Sequence, residues 1–242
     1  SNTLAALDTP LISNHIGPNF EATDLVILGH AHEDHMAGLH RLPRAEVHVH
    51  EADAAAARSW EGMRASLGIS DDTEALKTLE NLQKQFHYAP RPDAKSYVDG
   101  QTWELGGSTV RAFHMPGHTA GHSVLLIEPE GVAFIGDIDL SSFGPYYGDA
   151  SSNLPDFRNS LAKLPSIPAK VWITSHHKGI YTDRELFLRD LAAFSAKIDQ
   201  REQRLLQILQ RSPSTLEQIA SQRILYSKGA HAPWMDLPER RT

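Results

Sequence analysis

The 242-residue sequence contains no cysteine. It can form no disulfide and offers no thiolate, so any metal must be held by imidazole and carboxylate. It also lacks any apolar run near the roughly 18 residues that span a bilayer. At Ser1-Asn2-Thr3 there is no basic stretch leading into an apolar one, so no signal peptide is visible and we expect a cytoplasmic protein with no membrane partner. A positive charge balance is missing as well. Thirty acidic side chains against 23 basic ones give −7, which disfavours a nucleic-acid partner read through its phosphates. Hydrophobic residues at 40% and charged residues at 22% are ordinary for a chain that buries a core of its own.

What the sequence does have is histidine, 14 residues in all, and they cluster. Residues 24–29 form a short apolar run ending in Gly29, read as a buried strand, and 45–50 alternate as a second. From Glu51 to Phe86 the composition is that of helices, broken near Gly68-Ile69-Ser70, and Pro90 and Pro92 mark a loop. Strands are expected at 109–114, 122–128, 131–136 and 170–174, a loop over 140–152, and a helix over 154–164. From Asp183 onward the chain reads as helical. Interleaved strands and helices give an α/β class. We set one domain over 1–183 and a helical C-terminal region over 184–242.

His30-Ala-His32-Glu-Asp34-His35 follows the first strand. Chance yields on the order of 0.003 such windows in a chain of this composition, so a solvated His-rich loop is a poor explanation. In an extended segment, side chains at i and i+2 point the same way, so His30 and His32 can grip one ion. Asp34 continues that alternation and His35 steps aside as a helix begins, an arrangement suited to two metals side by side. Further donors follow: His118 and His122 on a Gly-rich turn, Asp137 after an apolar strand, and His176-His177 after another. Ligands at the ends of strands of one sheet converge on one edge.

In order and spacing, His30-x-His32-x-Asp34-His35, His118, Asp137 and His176 resemble the motifs of the metallo-β-lactamase superfamily, over about residues 24–180. The resemblance implies a four-layer αββα sandwich with a dinuclear metal site at its edge. By position, His30, His32 and His118 would hold one metal and Asp34, His35 and His176 the other, with Asp137 bridging. Asp34 would orient the attacking water or accept its proton. Zinc is the default metal, and iron or manganese also suits a His-and-carboxylate set. His177 competes with His176 for the last ligand position. If His176 is the ligand, His177 faces the substrate.

The family comparison also sorts the reactions. Asp137 stands where antibiotic-degrading members carry a Cys ligand, so the chain is more similar to the glyoxalase II-type thioesterases. Lactonases of the superfamily carry a Tyr three residues after the bridging Asp, where this chain has Leu140. A small-molecule ester-like bond, thioester first, is therefore the expected substrate. A phosphodiesterase or nuclease using the same site, and a non-catalytic metal-binding member of the fold, are the alternatives. A dimer is compatible with the sequence.

Other residues have two readings each. Tyr146 and Tyr147 either contact substrate or pack their own loop. Asp139 either points into the cleft or caps a turn. His122 is read as a structural hydrogen-bonding group, and His114 as a neighbour of the ligands. Trp60, Met63 and Leu67 have the spacing of a helix core face, or belong to a lid over the cleft. Family members carry two or more strands and an aspartate turn before the His motif. Only 29 residues precede His30, so Leu7-Asp8-Thr9-Pro10 reads as the remnant of that turn and the N-terminal strands as shortened. The segments around 204–209 and 213–220 resemble the start of a winged-helix appendage with a capped turn.

Overall fold

The computed structural model describes residues 5–8, 20–226 and 235–242. Two sheets face each other. The first is wholly parallel and runs in chain order: β1 (Ala5–Leu7), β2 (Leu25–Ile27), β3 (Glu46–His50) and β4 (Lys95–Tyr97). The helices α1 (Glu33–Met36), α2 (Ala54–Arg58), α3 (Trp60–Leu67) and α4 (Asp72–Phe86) lie between its strands in the chain. The second sheet is mixed. It contains β5 (Thr102–Glu104), β6 (Thr109–His114), β7 (Ser123–Glu128), β8 (Val132–Phe134), β9 (Val171–Ile173) and β10 (Ile180–Tyr181), ordered β10-β9-β8-β7-β6-β5. Helices α5 (Leu154–Lys163) and α6 (Arg184–Arg211) belong to this half, followed by α7 (Leu216–Ala220) and α8 (Asp236–Arg241).

The period-2 alternation of strand side chains divides the core into three layers of contact. Leu25 and Ile27 of β2 meet Val110, Ala112 and Leu125 between the sheets. Val26 and Val47 point the other way, onto Met36, Ala57, Met63 and Leu82 of the first set of helices. Val124, Leu126 and Trp172 face Phe157 and Leu161 of α5 and Phe187, Leu191, Phe194 and Ile198 of α6. Three apolar interfaces separate four layers, helix–sheet–sheet–helix. The Trp172 ring stacks on Phe187 at 4.3 Å, so the helix that opens the C-terminal region packs directly on the second sheet.

The interior strands stand where the sequence places them. The strands without a sequence signal, β1, β4, β5 and β10, are the four sheet edges. Each has two or three residues, too few for an alternating pattern, and each is defined by the neighbour it bonds to. Trp60, Met63 and Leu67 form a core face: Met63 is fully buried and the other two pack against its cluster. Helix starts follow local chemistry. Ser59, Asp71, Asn153 and Asp183 each accept a backbone N–H of the helix they cap, and Thr215 and Gln218 form a reciprocal capping box at α7. Thr9 and Pro10 of the expected aspartate turn, like Ser1-Asn2-Thr3, lie outside the described residues. No described helix is long and apolar enough to cross a membrane.

Candidate metal centre

The site assembles where β2 ends, beside the turn between β6 and β7 and the ends of β8 and β9. His30, His32 and His118 converge: His32 Nδ1 lies 3.2 Å from His30 Nε2 and 3.0 Å from His118 Nε2. Asp137 Oδ2 completes this cluster, 3.2 Å from His118 Nε2 and 3.9 Å from His30 Nε2. Its other oxygen, Oδ1, faces a second cluster, 3.0 Å from His35 Nε2 and 3.4 Å from His176 Nε2. Asp34 Oδ2 joins there, 3.1 Å from His176 Nε2 and 3.5 Å from His35 Nε2.

These distances suit a cation. Donors about 2.0 Å from one tetrahedral ion sit about 3.3 Å from each other. The proton positions agree. A carbonyl only accepts, so the 3.0 Å contact from His118 Nδ1 to the Tyr146 carbonyl places a proton on Nδ1 and a lone pair on Nε2. His35 Nδ1 contacts Asp8 Oδ2 at 2.7 Å, and His32 Nε2 faces Asp149 Oδ2 at 3.0 Å. His118, His35 and His32 are thus each held from behind by an acceptor, with the other nitrogen aimed inward. Burial alone depresses the His35 pKa, yet Asp137, Asp34 and Asp8 outweigh it and lift it well above the usual range. Three carboxylates around one buried imidazole make a pocket that calls for positive charge. The donor set fits divalent metal at both clusters.

Two glycines let the motifs approach. Gly117 has φ +131°, and a Cβ there would lie 2.3 Å from backbone and side-chain atoms of Phe157, so the His118 turn rests directly on α5. Gly136 has φ +56°, and a Cβ would lie 2.7 Å from His122 Nε2. His122 bonds within the framework. Its Nδ1 contacts the Met115 carbonyl at 3.2 Å and its Nε2 accepts the Asp137 N–H at 3.2 Å. Burial pushes its pKa down to about 3, so it is neutral.

The second cluster is the open side, with His176 36% and Asp34 26% exposed while the first-cluster imidazoles are buried. His177 is 67% exposed and lies outside both clusters, 3.6 Å from Asp139. Asp139 caps a turn by accepting the Ser141 N–H. His114 is bonded to the Ala120 carbonyl and stacked on His50. Tyr147 is not brought to the cleft: it is 6% exposed within the core, under the Arg201 guanidinium. The Tyr146 hydroxyl donates to Asp149, so its polar end is turned to the framework. The loop packs on its own body because its apolar rings have a buried cation and a core to cover. Leu140, with φ +54°, is buried in the same core.

Sequence reasoning missed Asp53 and Asp149. Buried Asp53 accepts the N–H groups of Ala31 (3.2 Å) and Gly121 (2.7 Å) and the Thr119 hydroxyl (2.6 Å). It ties the His30–His35 turn to the His118 turn. No motif signals it, since its donors come from residues 22 and more positions away.

A family model for the metallo-beta-lactamase superfamily matches residues 23–177. The chain belongs to the metallo-beta-lactamase superfamily. Within that superfamily it is 30% identical over 99 residues to an atrochrysone carboxyl ACP thioesterase of Aspergillus fumigatus, a match covering 40% of this chain and 30% of that protein. It is 29% identical over 146 residues to the acyl-coenzyme A thioesterase MBLAC2 of Gallus gallus, covering 58% of this chain and 50% of that one. The chain thus spans half or less of these relatives' length. Among solved structures it is similar to the metallo-beta-lactamase family protein TTHA1429 from Thermus thermophilus, with TM-score 0.73 and 23% identity, covering 100% of this chain and 84% of that one.

Proposed function

We propose that this superfamily member is a dinuclear metal-dependent hydrolase that cleaves a thioester. The observation that carries the reading is the split carboxylate of Asp137, with one oxygen turned to each donor cluster. In this reading His30, His32, His118 and Asp137 Oδ2 hold one ion. Asp34, His35, His176 and Asp137 Oδ1 hold the other. Divalent metal bound there, zinc by preference for this donor set, would supply Lewis-acid chemistry, lowering the pKa of a coordinated water and polarising an acyl carbonyl.

The chain's own residues do the rest. Burial raises the Asp34 pKa, but His35 and the His176 contact outweigh it and hold the carboxyl below its usual range. It stays ionised and acts as an acceptor that orients the attacking water. Its partial exposure beside His176 sets the side from which substrate enters. The thioester preference is supported by the names of the relatives and by Asp137 at the bridging position. Net negative charge argues against a phosphodiester polymer.

The reading is tested by elemental analysis of protein purified without chelator, followed by turnover of acyl thioesters, lactones and phosphodiesters. Two equivalents of metal with thioester turnover are expected. Turnover confined to lactones or phosphodiesters would overturn the substrate class. One equivalent or none after metal is added back would overturn the dinuclear mechanism. The last ligand is tested separately. His176→Ala is expected to lose one of two equivalents and His177→Ala to keep both; the opposite pattern would transfer the role to His177.

A further inference from the structure

The two donor clusters are held from behind by different parts of the chain. In the second cluster, His35 rests on Asp8, at the end of β1. In the first, His32 faces Asp149 and His118 bonds the Tyr146 carbonyl, both on the loop that follows Asp137. That loop is anchored by the C-terminal region. Buried Arg201 of α6 donates to the carbonyls of Phe143 (2.6 Å) and Pro145. Its guanidinium lies 5.0 Å from the Phe143 ring and 5.4 Å from the Tyr147 ring. A Cβ on Gly148 would lie 2.4 Å from Pro238 of α8.

Tyr226 makes the most direct link. Its ring packs 5.7 Å from Phe143. The Tyr146 hydroxyl spends its proton on Asp149 Oδ1 at 3.1 Å, so the hydrogen bond between the two tyrosines is one that Tyr226 donates. The backbone at Tyr226 is itself fastened. The buried Glu239 carboxylate of α8 accepts the N–H groups of Ile224, Leu225 and Tyr226 at 2.9, 3.1 and 2.7 Å. A continuous chain therefore runs from Glu239 through Tyr226, Tyr146 and Asp149 to His32.

We propose that the C-terminal region braces the His30–His32–His118 site selectively, with Tyr226 a positioning residue that acts through Tyr146 and Asp149. This rests on the two-metal reading above. The brace orients the imidazoles of one cluster and leaves the other to Asp8. Outer partners of metal-ligating histidines typically change metal affinity by about 10–100-fold, and a partner one hydrogen bond further out by about fivefold.

The test is a Zn²⁺ titration against a chromophoric chelator. In a His176→Ala background the remaining equivalent reports the first cluster; in a His118→Ala background it reports the second. Tyr226→Phe keeps the ring against Phe143 and removes only the hydroxyl. It is expected to weaken the first-cluster equivalent about fivefold and to leave the second unchanged. Asp149→Asn should do the same more strongly, by about 10–100-fold, and Asp8→Asn should show the reverse selectivity. The melting temperature of metal-free Tyr226→Phe should fall no further than the loss of one buried hydrogen bond accounts for. Equal weakening in both backgrounds would mean a general structural role and would overturn the proposal, as would no change in either. A parent protein that binds fewer than two equivalents would instead overturn the two-metal reading, before any brace variant is compared.

Discussion

The Asp137→Ala protein is expected to lose thioester turnover by about a thousandfold or more, since the stabilisation supplied by paired metals is several kcal/mol. The reason is geometric. The two Asp137 oxygens face different clusters, 3.2 Å from His118 and 3.0 Å from His35. Burial works against the charge, but His35 and His30 hold the Asp137 carboxyl well below the usual range. Asp137→Asn keeps the shape and loses the charge, and it should fail nearly as completely. The fold should persist, because the Asp137 N–H still bonds His122. Steady-state kinetics and metal content on each variant, beside a thermal melt, check this. Unchanged turnover would eliminate the dinuclear mechanism.

The second large effect is at Asp53, and it is on stability. Its carboxylate takes three donors from two turns, and all of them are buried. Alanine orphans them. Each buried unsatisfied donor costs about 1–3 kcal/mol, so Asp53→Ala should lower unfolding stability by about 3–5 kcal/mol, in the range of broken buried networks. Asparagine keeps an acceptor oxygen and should cost roughly half as much. Urea unfolding with the m-value checked for constancy measures both. The same variant should bind metal more weakly, because Ala31 sits between His30 and His32 and Thr119 follows His118. A loss below about 1 kcal/mol would show that the turns hold their shape without Asp53.

The fold was legible where strands are buried on both faces. β2, β7 and β8 announce themselves as apolar runs, since side chains in both directions meet a core. β1, β4, β5 and β10 did not, because an edge strand of two or three residues takes its shape from the neighbour's hydrogen bonds. The candidate ligands were legible for a local reason: alternation in an extended segment aims His30 and His32 together, and strand ends gather His118, Asp137 and His176 at one edge. Tyr147 was ambiguous for the opposite reason. A loop carries no period, so whether its ring meets a cleft or a core depends on Arg201, 54 residues away along the chain.

The sequence by itself determined the donor chemistry. With no cysteine, and with histidines and aspartates at these spacings, it restricted any metal site to imidazole and carboxylate and named the residues to bring together. Tertiary structure alone decided which acceptor stands behind three of the imidazoles: Asp8 for His35, Asp149 for His32 and the Tyr146 carbonyl for His118. It also decided that Asp53 joins the two turns, and that Tyr226 and Glu239 reach the site at all. The physical reason is range. Alternation and capping act over a few residues and leave a local pattern. An outer hydrogen bond needs only one acceptor at about 3 Å from any part of the chain, and nothing near that residue in sequence records which one the fold will deliver.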